Sequence, residues 1–190
     1  MGEVRPYHHG DLRRHLVAAA RAELEEHGLA NVVLTRLAQP CGVSVAAPYR
    51  HFPSKEALLA EVANGGFTEL AAALGEAARA GASPRDRLLD AGVAYVRFAI
   101  ANPHLFRLMF NTDVRTPVGE ESRESRGVLV SLVQECDLAV PVTRAVRASW
   151  AMVHGQAALC VGAMGQFEDL TDETIREDLE VLLDGMILAG

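Results

Sequence analysis

Residues 37–55, LAQPCGVSVAAPYRHFPSK, constrain the chain more than any other stretch. They hold a helical start, a Gly-Val turn, a second short helix carrying tyrosine and histidine, and a third helical start at Ser54-Lys55. Gly42 falls where a helix must stop in a left-handed conformation, which costs glycine little. Val43 is placed to plug the gap between the flanking helices and Ser44 to cap the second of them. Ala38 is small, as expected where two helices approach closely. That order builds a helix-turn-helix, the smallest unit that lays one helix in a DNA groove while another braces it.

The rest of the chain agrees with a helical fold. Apolar residues recur at three- and four-residue spacing nearly throughout, and no segment alternates for long with period two. The expected class is all-α with about nine helices. The first covers about 11–27, with Leu12, Leu16, Ala19, Ala20 and Leu24 on one stripe and Gly28 ending it. The second and third are the short pair around Gly42. The fourth starts after Ser54 and runs to about 79, with Gly65-Gly66 as a bend or a close contact. Ser83-Pro84 and Asn102-Pro103 open the fifth and sixth, because proline suits the first helical position. The remaining three cover about 120–136, 141–164 and a helix from Thr171, striped by Ile175, Leu179, Leu182, Leu183, Met186 and Ile187. Residues 1–55 are expected to form the DNA-binding head and 56–190 a regulatory and dimerisation body.

Charge is distributed to match. The net charge is −7, but residues 1–55 carry seven Lys/Arg against five Asp/Glu, and residues 56–190 carry eleven against twenty. A basic head on an acidic body suits a protein that meets phosphate at one end. Arginine outnumbers lysine seventeen to one, and the one lysine, Lys55, opens a helix beside the turn expected to face DNA. Three cysteines, Cys41, Cys136 and Cys160, lack metal spacing and read as reduced thiols. No long uncharged apolar window and no signal-peptide pattern occur, so a cytoplasmic protein without a membrane span is expected.

The residues expected at DNA are Thr35, Ser44, Val45, Ala46, Ala47, Tyr49, Arg50, His51 and Lys55. Tyr49 and His51 carry donors that reach phosphate oxygens, and Lys55 joins the backbone N–H groups of a helix start. Val45, Ala46 and Ala47 lack the bidentate hydrogen bonds that read guanine or adenine, but they suit thymine methyl groups. DNA shape, and an arm at residues 5–9, are expected to add specificity.

The array Leu37-Ala38, Gly42-Val43-Ser44, Tyr49-Arg50-His51-Phe52 and Lys55-Glu56-Ala57-Leu58-Leu59 resembles the tetracycline-repressor (TetR) family over about residues 8–60. The resemblance implies a helical homodimer, paired through the last two helices, on a palindromic operator in double-stranded DNA. It also implies a body that binds a small, largely apolar effector, with repression as the default. Two departures stand out. Val33 occupies a position where the family has a Ser or Thr cap, the nearest being Thr35, and Pro40 removes a helical hydrogen bond near the end of the second helix. In the body, Trp150, His154 and Gly155 resemble the Trp-His-Gly subgroup of the family. Tyr7-His8-His9-Gly10-Asp11-Leu12 and the Ala47-Pro48-Tyr49 run fit the same subgroup.

Trp150 and His154 lie one helical turn apart, with Phe98, Phe106, Met109 and Phe110 as candidate neighbours. One reading is an apolar ligand pocket anchored by His154. The other is a core histidine packed by tryptophan. No nucleophile elbow or phosphate loop appears, and adjacent histidines at His8-His9 point in different directions. No enzyme activity, metal or cofactor is therefore expected. The rival reading is a scaffold of the same kind that binds a ligand or partner and has weak or lost DNA binding, which Pro40 and the alanine-rich reader favour.

Overall fold

The computed structural model describes residues 9–111, 120–162 and 170–185, with side chains from Leu12 onward. Among the described residues there are eight α-helices and no strand: α1 His9–His27, α2 Leu34–Leu37, α3 Lys55–Ala78, α4 Pro84–Ala101, α5 Pro103–Met109, α6 Glu120–Gln134, α7 Val142–Val161 and α8 Asp172–Leu183. The count is one below the expected nine. The segment after Gly42 forms only a 3₁₀ turn at Pro48–Arg50 in place of an α-helix. The cause is Pro48, which has no N–H to donate to the Ser44 carbonyl. The Ala47 N–H takes that carbonyl instead at 2.9 Å, and Arg50 N–H bonds Ala47 O at 3.1 Å.

The chain divides into two compact units, and α3 runs from one into the other at Gly66. The first comprises Met1–Gly66 and His104–Pro117. Its core takes Leu12, Leu16, Ala20 and Leu24 from α1, Leu34, Leu37 and Ala38 from α2 and its turn, and Leu58, Leu59 and Val62 from α3. The α1 stripe expected from spacing is the face that is buried, except that Ala19 is only half-buried. Each fully buried leucine here contributes roughly 1.5–3 kcal/mol relative to exposure. Arg13 grips Glu61 with two hydrogen bonds, one at 3.0 Å, and lies over the Phe52 ring at 4.9 Å, so one side chain ties α1 to α3. Gly66 admits α5: a Cβ there would fall 2.7 Å from Met109 Sδ and 2.9 Å from Leu105 Cδ2. The Glu25 carboxylate accepts the Leu105 N–H at 3.0 Å, which satisfies a donor at the start of α5.

The second unit comprises Phe67–Pro103 and Val118–Gly190. Its centre is α4, which packs against α6, α7 and α8. Ser83 caps α4 by accepting Asp86 N–H at 3.1 Å, with Pro84 in the first turn as expected. Thr171 and Thr174 form a reciprocal capping box at α8. Ile175, Leu179 and Leu183 are buried within this one chain, while Met186 and Ile187 of the expected stripe lie outside the described residues. A Cβ on Gly92 would lie 2.6 Å from Leu179 Cδ1, so the glycine sets how closely α4 meets α8. Ion pairs run down the same contact: Arg176 to Asp86 at 2.7 Å and to Asp90, Arg85 to Asp184 at 2.6 Å and Glu180 at 3.3 Å, and Arg97 to Asp172.

Candidate nucleic-acid interface

The head is built around one left-handed glycine. Gly42 has φ +66°, its N–H bonds Gln39 O at 3.0 Å, and Val43 N–H bonds Ala38 O at 3.2 Å. This reverses the chain between α2 and the 3₁₀ turn. Ala38 and Phe52 are buried beneath it, and Val43 is half-buried. The bracing helix α2 has only four residues. It opens at Val33 with no side-chain cap, and it stops ahead of Gln39, which Pro40 biases away from the α region. Thr35, two positions inside, is half-buried.

Beyond the turn, Ser44, Val45, Ala46, Tyr49 and Arg50 are exposed, while Ala47 and His51 are half-buried and Pro48 is buried. Val45 is 60% exposed and Tyr49 52%. Of the nine residues expected at DNA, five therefore stand fully open on this one short segment. The residues of the arm before His9 lie outside the described residues.

Lys55 has an additional task that spacing did not reveal. Its Nζ donates to the Leu29 carbonyl at 2.8 Å, fastening the turn after α1 to the start of α3. An ammonium has three donors, so this bond leaves capacity for phosphate but fixes where the charge sits. The helix start beside it is partly occupied. Ser54 Oγ accepts Ala57 N–H at 3.2 Å, and the Glu56 carboxylate is held below the usual range by its own backbone N–H and by Ser54. Backbone N–H groups there are less available to an anion than the sequence suggested.

The expected effector residues fall on both units. In the first, Phe106 and Phe110 rings lie 4.9 Å apart, and Met109 is buried under Gly66. In the second, Phe98 is buried, and Trp150 and His154 lie 5.9 Å apart between ring centroids. Sequence reading missed their third member, Tyr95 on α4. Its hydroxyl is 2.9 Å from His154 Nδ1, and it also hydrogen-bonds Trp150. Burial pushes the Tyr95 phenol up and the His154 imidazole down, so both are neutral near pH 7. Trp150 remains 45% exposed on the surface of this single chain. Gly155, expected at a close helix approach, has nothing within 4 Å of its Cβ position among the described residues.

No helix among the described residues is long and apolar enough to cross a membrane. Residues 16–62 match the family model for bacterial regulatory proteins of the tetR family, and residues 88–186 match that for the tetracyclin repressor-like C-terminal domain. No curated protein matches the chain. Among solved structures, it is similar to a protein with unknown function from Rhodococcus sp. RHA1, at 33% identity and TM-score 0.83, covering 97% of this chain and 100% of that one. It also resembles a bacterial regulatory protein in the tetR family from Rhodococcus RHA1, at 17% identity and TM-score 0.69, covering 94% and 98%. A third likeness is a TetR family transcription regulator from Marinobacter aquaeolei VT8, at 20% identity and TM-score 0.68, covering 94% and 96%. The second and third share the fold alone at those identities. With a family model spanning 99 residues of the body and another covering the helix-turn-helix, the chain belongs to the TetR family of bacterial regulatory proteins.

Proposed function

We propose that the protein is a ligand-responsive transcriptional repressor that binds a palindromic operator as a homodimer and is released by a small, largely apolar effector. The observation that carries the DNA half is the Gly42 turn, which presents Val45, Tyr49 and Arg50 together on an exposed segment above a buried Phe52. Tyr49, Arg50, His51 and Lys55 are the phosphate-facing set, and Ser44, Val45 and Ala46 the base-facing set. Lys55→Ala is expected to weaken binding to all duplexes and to lower the salt slope by about one. An unchanged slope would remove Lys55 from the phosphate contacts.

The effector half rests on the Tyr95–His154–Trp150 group, in which neutral donors and acceptors lie beside an open indole. Trp150→Ala should abolish the thermal shift that an effector gives the wild type; equal shifts would exclude this site. For the homodimer, α7 and α8 leave Trp150, Leu159 and Val181 exposed, at 45%, 46% and 77%, and Gly155 uncovered. A second copy covering the side of α7 that carries Gly155 and Leu159, together with Val181 of α8, accounts for these three; Trp150, half a turn round α7 from Leu159, stays open to an effector. A mass of one chain by sedimentation at micromolar concentration would exclude the dimer.

A second reading, a scaffold that binds a ligand or partner with weak DNA affinity, is favoured by one observation. Pro40 and Pro48 reduce both halves of the helix-turn-helix to short turns. Failure to bind any duplex at low salt would select it.

A further inference from the structure

The segment after the turn presents two kinds of surface. Its phosphate-facing end is polar, but its tip is not: Val45 stands 60% exposed, and Ala46 beside it is also exposed. Ala47 and Pro48 turn inward, half-buried and buried, so the apolar tip reduces to Val45 with Ala46. An exposed valine at this position loses apolar burial in the free protein, and the tip has no side-chain donor or acceptor except the Ser44 hydroxyl, which pairs with any base and discriminates little. A valine held out by a hydrogen-bonded turn is rigid, since its branched Cβ leaves few rotamers to lose. The one feature of the major groove that an apolar knob recognises is the C5-methyl of thymine.

Accepting that the head binds DNA, we propose that it selects its half-site by fitting Val45 and Ala46 against thymine methyl groups. Arg50 then supplies the one long polar contact. The geometry limits the size of this reading. Two adjacent residues cover a few ångströms, which is one or two base pairs at about 3.4 Å per step. Arg50 closes the 3₁₀ turn at Pro48–Arg50, past the turn that carries the tip. The recognised core is therefore a short thymine-bearing step in each half-site, with Arg50 on the phosphate beside it. The bracket of Pro48 matters to this arrangement: by forcing the 3₁₀ turn it separates the apolar tip from the polar end instead of winding them onto one helical face.

The test uses the full-length protein and a duplex enriched from a randomised pool. Each thymine in the enriched half-site is replaced singly by deoxyuridine, which keeps every hydrogen bond and removes only the methyl. Binding is expected to weaken about fourfold at one or two positions, the worth of one buried carbon at about 0.8 kcal/mol, with the salt slope unchanged. In Val45→Ser, an exposed substitution whose folding is checked by an unchanged melting temperature, the loss should disappear at the thymine that Val45 meets and persist at any that Ala46 meets. Deoxyuridine tolerated at every position, a methyl effect undiminished in Val45→Ser, or enrichment of no common sequence would each overturn the proposal. A protein that binds no duplex at all, even at low salt, would overturn the DNA-binding reading beneath it.

Discussion

Tyr95 and His154, fifty-nine residues apart in sequence, place their polar atoms 2.9 Å apart, and Trp150 closes the group from one turn away on α7. The pairing joins α4 to α7 through a phenol and an imidazole that burial keeps neutral. Removing the phenol oxygen takes away this hydrogen bond between α4 and α7. Tyr95→Phe should lower stability by about 1 kcal/mol, near 3 °C in melting temperature for a chain of this size. It should also shift the emission of Trp150, the only tryptophan. A variant that melts with the wild type would show that the hydroxyl contributes nothing net.

The same site predicts a pH dependence. Burial holds the His154 imidazole below the ordinary histidine value of about 6.5. Between the two values the unfolded chain binds a proton that the folded chain does not, so stability rises with pH there. The contribution is complete above about pH 7 and is lost as pH falls through 6.5 toward the folded value. His154→Gln should flatten the melting curve measured against pH from 7.5 to 5.5. Parallel curves for the two proteins would contradict this.

Gly42 isolates backbone strain from crowding. Its φ is +66°, and a Cβ there would meet nothing within 4 Å. Gly42→Ala should therefore destabilise by about 1–2 kcal/mol through conformation alone. Gly42→Asn should cost less, since asparagine enters the left-handed region more readily. Denaturant melts of the two variants give the comparison, and equal losses would argue for a steric cause.

Arg176 lies at the centre of the α4–α8 ion pairs, with its side chain 31% exposed between Asp86 and Asp90. Arg176→Ala should cost about 1 kcal/mol at low salt and less at 1 M, where screening shortens to about 3 Å. A loss that does not change with salt would mean that the arginine acts through its apolar stem.

Much of this was readable from spacing alone. The glycine that would turn left-handed, the small Ala38 at a close helix approach, the Ser83-Pro84 start of α4 and the apolar stripes of α1 and α8 are local consequences of residue type. Three features were not. Pro48 sits four residues after Ser44, where its missing N–H leaves the Ser44 carbonyl to Ala47 and the segment closes as a 3₁₀ turn. Lys55 reads as a free cation until folding brings the Leu29 carbonyl beside it. Tyr95 is one aromatic among many on α4, and only tertiary contact with α7 gives its hydroxyl a partner.

The Glu25–Leu105 bond and the Gly66 notch for Leu105 and Met109 have a consequence for how the molecule is made. The head draws on two stretches of chain separated by all of α4. As the protein leaves the ribosome, residues up to Gly66 emerge with a carboxylate and an apolar notch still waiting for α5. Domains generally fold in the order they are synthesised, but this one closes only after part of its neighbour has appeared. A gene fragment cut after α3 would encode the reading segment without the lid that completes its core.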